Sequence, residues 1–356
     1  MKKIVVSLFI IASLVISAFA VKQEPPEEAW TVTTIAGWCA DYGLADGDKP
    51  CFDKAGPMVI DAAGNLFVVD DNTGACIRKV APNGATTTLL ASNYKEPKGV
   101  VDYKVGTVRG IVLDKNGDII FSDRGASTIL KLSGDNKVET IAAATGYSGK
   151  DDGPAMDAEL DAPNGICMDK QGNIYIADGF NFKIRKLSAD RKTITTFAGN
   201  GVEGELKLAT GKAAGFKQEP QIITVDSKGN VYLVQEDVNS CILKITPSGV
   251  VTVFVGDFSQ PSNKEKDGTG KAAGFPRILA MCCDAQDNLY VAEAKRVRKI
   301  TPAAVVTTIA GVDDDNDHRD GSGSRARFST IRGLCADAAG NIYVGDSYSI
   351  RKLSKQ

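Results

Sequence analysis

The sequence predicts an all-β, six-bladed propeller of four-stranded antiparallel blades. Three observations predict it: one ten-residue grammar recurs six times, each copy parses into short strands, and the chain opens with the strand type that its last copy lacks. Repeats at a fixed long period signal stacked or circular architectures, because one unit alone cannot bury its apolar face.

The grammar is an Asp, two variable residues, Gly, Asn, four mostly apolar residues and a polar or acidic end. It reads DAAGNLFVVD from Asp61, DKNGDIIFSD from Asp114, DKQGNIYIAD from Asp169, DSKGNVYLVQ from Asp226, DAQDNLYVAE from Asp284 and DAAGNIYVGD from Asp337. The spacings are 53, 55, 57, 58 and 53 residues.

Each copy supplies its strands in order. A short apolar run precedes the first Asp, as at 165–168 (GICM). The Asp-x-x-Gly-Asn segment is a tight turn, since Gly and Asn accept the positive φ of hairpin turns. The next run, such as 174–177 (IYIA), is apolar on both faces, as a strand between two layers must be. A third strand carries an Ile-Arg-Lys pattern at 184–187 and 350–353, and a fourth is threonine-rich at 193–197 and 305–309. Four antiparallel strands repeated six times make a propeller.

The ends decide closure. The chain begins its repeats with a fourth-type strand at 31–37 and stops on a third-type strand at Leu353. The N-terminal strand is therefore expected to complete the last blade, which removes an open sheet edge. One propeller domain is expected over residues 29–356, after a short lead at 21–28. Residues 1–20 read as a cleaved signal peptide: Lys2 and Lys3, an apolar run from Ile4 to Ile16, then Ala18, Phe19 and Ala20 before the cut. Export to the periplasm or the outside of the cell follows, with no membrane insertion, because no later run reaches the roughly 20 apolar residues of a spanning helix.

The pattern Gly-Ile-x-x-Asp, Gly-Asn-Ile-Tyr-x-Ala-Asp, Ile-Arg-Lys-Leu and Thr-Thr-Ile-Ala-Gly resembles the NHL repeat across essentially the whole mature chain. The loops share a further motif similar to that of exported bacterial NHL proteins: Asp267 and Gly268 before Ala273 and Phe275, and Asp320 and Gly321 before Ala326 and Phe328. The resemblance implies a six-bladed propeller and no single activity, since this fold hosts lyases, lactonases, sensors and binding modules alike.

A formal net charge of −2, more negative once Lys2 and Lys3 are removed, gives no general attraction for polyanions. Nucleic acid is not an expected partner, and the chain is expected to be a monomer. Eight cysteines in an oxidising compartment invite pairing. Cys39 and Cys51 share one loop and are the expected disulfide. The other six fall in expected strands and read as small buried hydrophobes.

The long connections from strand four to the next strand one share a face with the loops between strands two and three, and long loops carry function. The residues five before each turn Asp should ring that mouth of the channel: Gly56, Arg109, Asn164, Gln221, Leu279 and Arg332. Arg109 and Arg332 flank Gly56 in blade order, and two guanidinium forks around a glycine gap suit a carboxylate, sulfate or phosphate. The alternative is that each arginine pairs with a loop carboxylate. Arg109, Asn164, Gln221 and Arg332 are the expected ligand-binding residues.

A second set ends strand two: Asp70, Asp123, Asp178, Gln235, Glu293 and Asp346. Recurring in nearly every blade, it reads as backbone capping and pairing to Arg78, Arg185, Arg298 and Arg351. Under an enzyme reading, Asp178, Glu293 and Asp346 would instead hold a metal. One acidic loop, with Asp313, Asp315 and Asp317, has hard oxygen ligands for calcium, though a solvated loop accounts for it as well. No cofactor is otherwise expected.

The single histidine, His318, excludes a His-rich zinc site, and no nucleophile elbow or phosphate-cradling loop is present. The expected function is an exported, non-catalytic recognition module for a protein, a glycan or a small anionic ligand. The alternative is a metal-assisted hydrolase, lactonase or lyase using channel carboxylates.

Overall fold

The computed structural model describes residues 29–37, 44–71, 75–92, 101–102, 104–135, 137–204, 206–236, 240–257, 265–312 and 318–356. Six sheets, antiparallel apart from one two-residue pair in the first blade, follow one another along the chain, each with its first strand innermost. Adjacent inner strands contact one another around the ring, from Ala55–Ile60 to Val108–Leu113, Pro163–Met168, Ile223–Val225, Ala280–Cys283, Ile331–Ala336 and back to Ala55–Ile60.

The ring closes through the N-terminal strand. Trp30–Ala36 lies antiparallel to Ser349–Lys355, with Trp30 opposite Lys355, Val32 opposite Leu353 and Ala36 opposite Ile350. The last blade thus takes its outer strand from the other end of the chain, as the strand count required.

The repeated turn has a local cause. Asp61 Oδ1 accepts the backbone N–H groups of Ala63 and Asn65 at 2.9 and 2.8 Å, and its Oδ2 accepts Asn65 Nδ2 at 2.7 Å. Where a tyrosine follows, its hydroxyl joins the same carboxylate: Tyr232 reaches Asp226 at 3.1 Å and Tyr290 reaches Asp284 at 3.1 Å. The turn glycine sits at positive φ in five blades, for example +83° at Gly64, and Asp287 takes the place at +64° in the fifth blade. Glycine has no steric penalty there.

Second strands alternate between two interblade cores. Ile174 and Ile176 pack in the layer shared with the second blade, and Tyr175 and Ala177 in the layer shared with the fourth. This is the period-two alternation of a strand with both faces buried.

Four sheets have five strands, not the expected four, because a two-residue strand from a connecting loop joins an outer edge. Gly153–Pro154 pairs with Thr193–Ala198, Gly268–Thr269 with Val305–Ala310 and Gly321–Ser322 with Trp30–Ala36. A parallel pair, Val101–Asp102, extends the first blade. The Asp-Gly motif of the loops marks three of these additions. Each incoming loop hydrogen-bonds its own blade's outer strand before crossing inward to the channel, which shortens the exposed edge.

Candidate functional site

The acids that end strand two do not face the channel. Asp70, Asp178 and Asp346 are sealed from solvent and hold buried arginines: Arg78 Nη1 to Asp70 at 3.2 Å, Arg185 Nη1 to Asp178 at 2.7 Å and Arg351 Nη1 to Asp346 at 3.0 Å. Glu293 lies 3.4 Å from Arg298. The same guanidiniums reach into the loops above. Arg185 donates to the carbonyls of Asp151 and Glu159 at 2.8 and 2.9 Å, and Arg351 to those of Arg319 and Arg327, both at 2.8 Å.

The Asp of each Asp-Gly motif completes the clamp, with Asp46, Asp152, Asp267 and Asp320 each within 3.0 Å of their arginine. Phe52, Phe275 and Phe328 lie under the guanidiniums of Arg78, Arg298 and Arg351 at 4.5, 4.6 and 5.0 Å. Burial pushes the carboxyls of Asp70 and Asp178 up, against the pull of Arg78 and Arg185. Blades two and four carry Leu130 and Leu243 at the arginine position and have no such clamp.

This arrangement bears on the metal candidates. Asp178, Glu293 and Asp346 each belong to a different clamp, and the structure does not bring them together. Among the described residues no group of three or more His, Cys, Asp or Glu side chains is placed to hold a metal ion. Asp313, Asp315 and Asp317 lie outside the described residues. Cys39 does too; Cys51 is disulfide-bonded, and the remaining six cysteines are free, five of them buried. Burial raises these thiols, Cys76 to about 12, which makes them poor nucleophiles.

The ring of residues five before the turn Asp does converge. Gly56, Arg109, Asn164, Gln221, Leu279 and Arg332 all line one central channel of about 770 Å³, within the size range of small-molecule sites. The glycine that follows in three blades explains how the inner strands meet. A Cβ at Gly110 would fall 2.4 Å from the Ile166 nitrogen, and one at Gly333 only 1.7 Å from the Gly56 carbonyl oxygen. Gly165 donates its N–H to the Gln221 carbonyl at 2.8 Å, joining neighbouring blades directly.

The channel is polar at one mouth. Five cations line it (Lys54, Arg109, Arg124, Arg277 and Arg332) against two carboxylates, Glu219 and Glu236. All seven lie at the starts of inner strands, in the loops before them, or just after second strands, and so on one face. The inner strands end in Ile60, Leu113, Met168, Val225, Cys283 and Ala336, leaving the far end apolar.

The polar mouth is divided. Arg124 Nη1 lies 2.5 Å from Glu219 Oε1 and donates to Asn164 Oδ1, and Asn164 Nδ2 donates to Glu219 at 2.7 Å and to the Pro220 carbonyl at 2.9 Å. Arg277 lies 3.8 Å from Glu236. These charges are matched, and they belong to blades two to five. Lys54, Arg109 and Arg332 are exposed and have no ion-pair partner among the described residues. They come from blades one, two and six, which are consecutive around the ring, and Gly56 stands among them. The anticipated pairing of Arg109 and Arg332 with loop carboxylates is not found among the described residues.

Sequence reasoning missed Lys54, Arg124, Glu219, Glu236 and Arg277. They sit in connecting loops of unequal length, where repeat register gives no guide. Asp70, through its bonds to the backbone N–H groups of Asp53 and Lys54 at 3.0 and 2.7 Å, fixes the chain that presents Lys54.

No family model matches the chain. Teneurin-4 of Mus musculus is 25% identical over 353 residues, covering 87% of this chain and 12% of the teneurin. NHL repeat-containing protein 2 of Gallus gallus is 28% identical over 279 residues, covering 67% of this chain and 37% of that protein. The chain therefore spans a minor part of the length of these curated relatives. Among solved structures, an auxiliary nutrient binding protein from Bacteroides ovatus superposes with a TM-score of 0.68 at 16% identity, covering 92% of this chain and 77% of that one. The chain is an NHL-type β-propeller.

Proposed function

We propose that the protein is an exported, non-catalytic recognition module that takes a small anionic ligand at the polar mouth of its channel. The observation that carries this reading is the arc of Lys54, Arg109 and Arg332, which has no ion-pair partner among the described residues, in a mouth whose other described charges are internally matched. The whole chain is slightly acidic, so the attraction is local. A cleft lined by one sign of charge with low-dielectric walls concentrates counter-ions. Arginine forks give planar, bidentate contacts to carboxylate, sulfate or phosphate. Lys54 adds a mobile point charge.

The pattern of residues 1–20 supports export. Among the described residues no helix is long and apolar enough to cross a membrane. A neighbour described as a nutrient binding protein fits a role in capture rather than turnover.

Thermal unfolding of the purified protein at low ionic strength, with and without inorganic sulfate or phosphate at millimolar concentration, tests the reading. The wild type is expected to gain stability with the anion and to lose that gain as sodium chloride is raised. A response equal to that of a Lys54→Ala/Arg109→Ala/Arg332→Ala variant would contradict it.

A further inference from the structure

Opposite the cationic arc, the mouth presents a wall of amides and carboxylates. Asn164 and Glu219 are fixed by Arg124, and Gln221 and Glu236 complete the wall. A niche of about 40 Å³ opens between Glu219, Gln221 and Glu236. That is ample for a hydroxyl group, since a cavity needs only about 10–15 Å³ of probe-occupied volume to hold one water. Its polar lining is planar amide and carboxylate, with acceptors in excess.

An aromatic platform stands beside this wall. Phe180 follows the second strand of blade three and is 56% exposed. Arg124 covers one side of its ring at 5.0 Å. The preceding Gly179 is pressed against the wall: a Cβ there would lie 2.5 Å from Glu219 Oε1 and 2.6 Å from Asn164 Nδ2. One guanidinium thus ties the aromatic ring, the carboxylate and the amide into a single unit.

From these neighbours, and resting on the anion-binding reading above, we infer that the ligand is an acidic saccharide. Its carboxylate or sulfate meets Lys54, Arg109 and Arg332. Its hydroxyls meet Glu219, Gln221 and Glu236, one of them entering the niche. Its apolar ring face, or that of a neighbouring sugar unit, lies on Phe180. Charge-matched planar side chains exchange paired hydrogen bonds with vicinal hydroxyls without adding net charge, whereas a simple inorganic anion has no use for that wall. The channel volume accommodates one or two sugar rings.

Isothermal titration calorimetry with the mature protein distinguishes the parts of this assignment. The probes are D-galacturonate and digalacturonate, D-galactose as the neutral counterpart, and acetate as an acid without a ring. Galacturonate or its dimer is expected to bind at least about tenfold more tightly than acetate or galactose. Phe180→Ala is expected to weaken the sugar acid by about three- to tenfold and leave acetate unchanged. Glu236→Gln, which retains size but leaves Arg277 unmatched, is expected to lower the ratio of sugar-acid affinity to acetate affinity.

If the sugar acids bind no more tightly than acetate, and Phe180→Ala changes neither, the saccharide assignment is overturned while anion binding stands. If none of the acids binds, both fall. Equal binding of galactose and galacturonate would overturn the role of the cationic arc.

Discussion

Arg351 Nη1 lies 3.0 Å from Asp346 Oδ2 with both side chains sealed from solvent, and the same guanidinium donates to two loop carbonyls and lies over Phe328. The contact joins a strand-end acid to the loop that crosses the top of the blade. Its counterparts in blades one, three and five do the same. The motif thus serves to fix the loop face on which the channel mouth is built.

Breaking one clamp should be costly, and repairing both sides should not. Arg185→Leu leaves the Asp178 carboxylate buried and unpaired, and such losses cost about 3–5 kcal/mol. Blade four shows an uncharged solution, with Gln235 and Leu243 at the corresponding positions. The double variant Asp178→Gln/Arg185→Leu is expected to be less destabilised than the sum of its single changes by at least about 1 kcal/mol. Urea unfolding of the four proteins gives the coupling, and simple additivity would contradict the clamp.

Acid should weaken the loop anchor at Asp152. Burial pushes this carboxyl up, but hydrogen bonds from Lys212 and Thr196 and the charge of Arg185 outweigh it and bring it to about 2. A depressed carboxyl contributes stability above its unfolded pKa and loses it as pH falls through the folded value. The advantage of wild type over Asp152→Asn should be about 1–2 kcal/mol at neutral pH, allowing for solvent screening, and should fade between about pH 4 and pH 2. Denaturant titrations across that range measure it; a difference that does not change with pH would refute the assignment.

Ring closure should be needed for a monodisperse product. Removing residues 21–37 strips the last blade of the strand paired with Ser349–Lys355 and exposes a long edge. The truncated chain is expected to elute as aggregates in size-exclusion chromatography. A monomer with an unchanged melting transition would show that the N-terminal strand is dispensable.

Export and the disulfide can be read from one mass measurement. The secreted protein should begin at Val21, and a non-reduced digest should contain one cross-linked peptide pair joining Cys39 and Cys51. Closing such a loop contributes roughly 2–4 kcal/mol. Alkylation of both thiols without prior reduction would remove the disulfide, and an intact Met1 on the secreted chain would remove the cleavage site.

The fold was legible because its determinants are local and repeated. The Asp61–Asn65 turn needs only five residues, and its copies report a ring by their number and spacing. Closure was legible from the surplus strand at 31–37. The inner ring of Arg109, Asn164, Gln221 and Arg332 was legible because it keeps a fixed offset from the turn. The rest of the mouth was not. Lys54, Glu219 and Arg277 come from loops of different lengths, and Arg124 meets Glu219 across 95 residues of sequence. No periodicity marks such a pair. The fifth strands were missed for a related reason: a two-residue segment such as Gly153–Pro154 has no strand pattern of its own and is held by the edge that it joins.

The most direct test of the mouth is calorimetry of D-galacturonate or digalacturonate binding to wild type, Arg109→Ala, Arg332→Ala and the two lysine replacements. Each alanine change is expected to weaken binding about 10- to 100-fold, the loss of one charged hydrogen-bonding group, with the melting temperature unchanged in the absence of ligand. Each lysine change should recover only part of the affinity, since the charge returns without the fork. Equal affinity in all five proteins would contradict the account and place any ligand away from the arc formed by Lys54, Arg109 and Arg332.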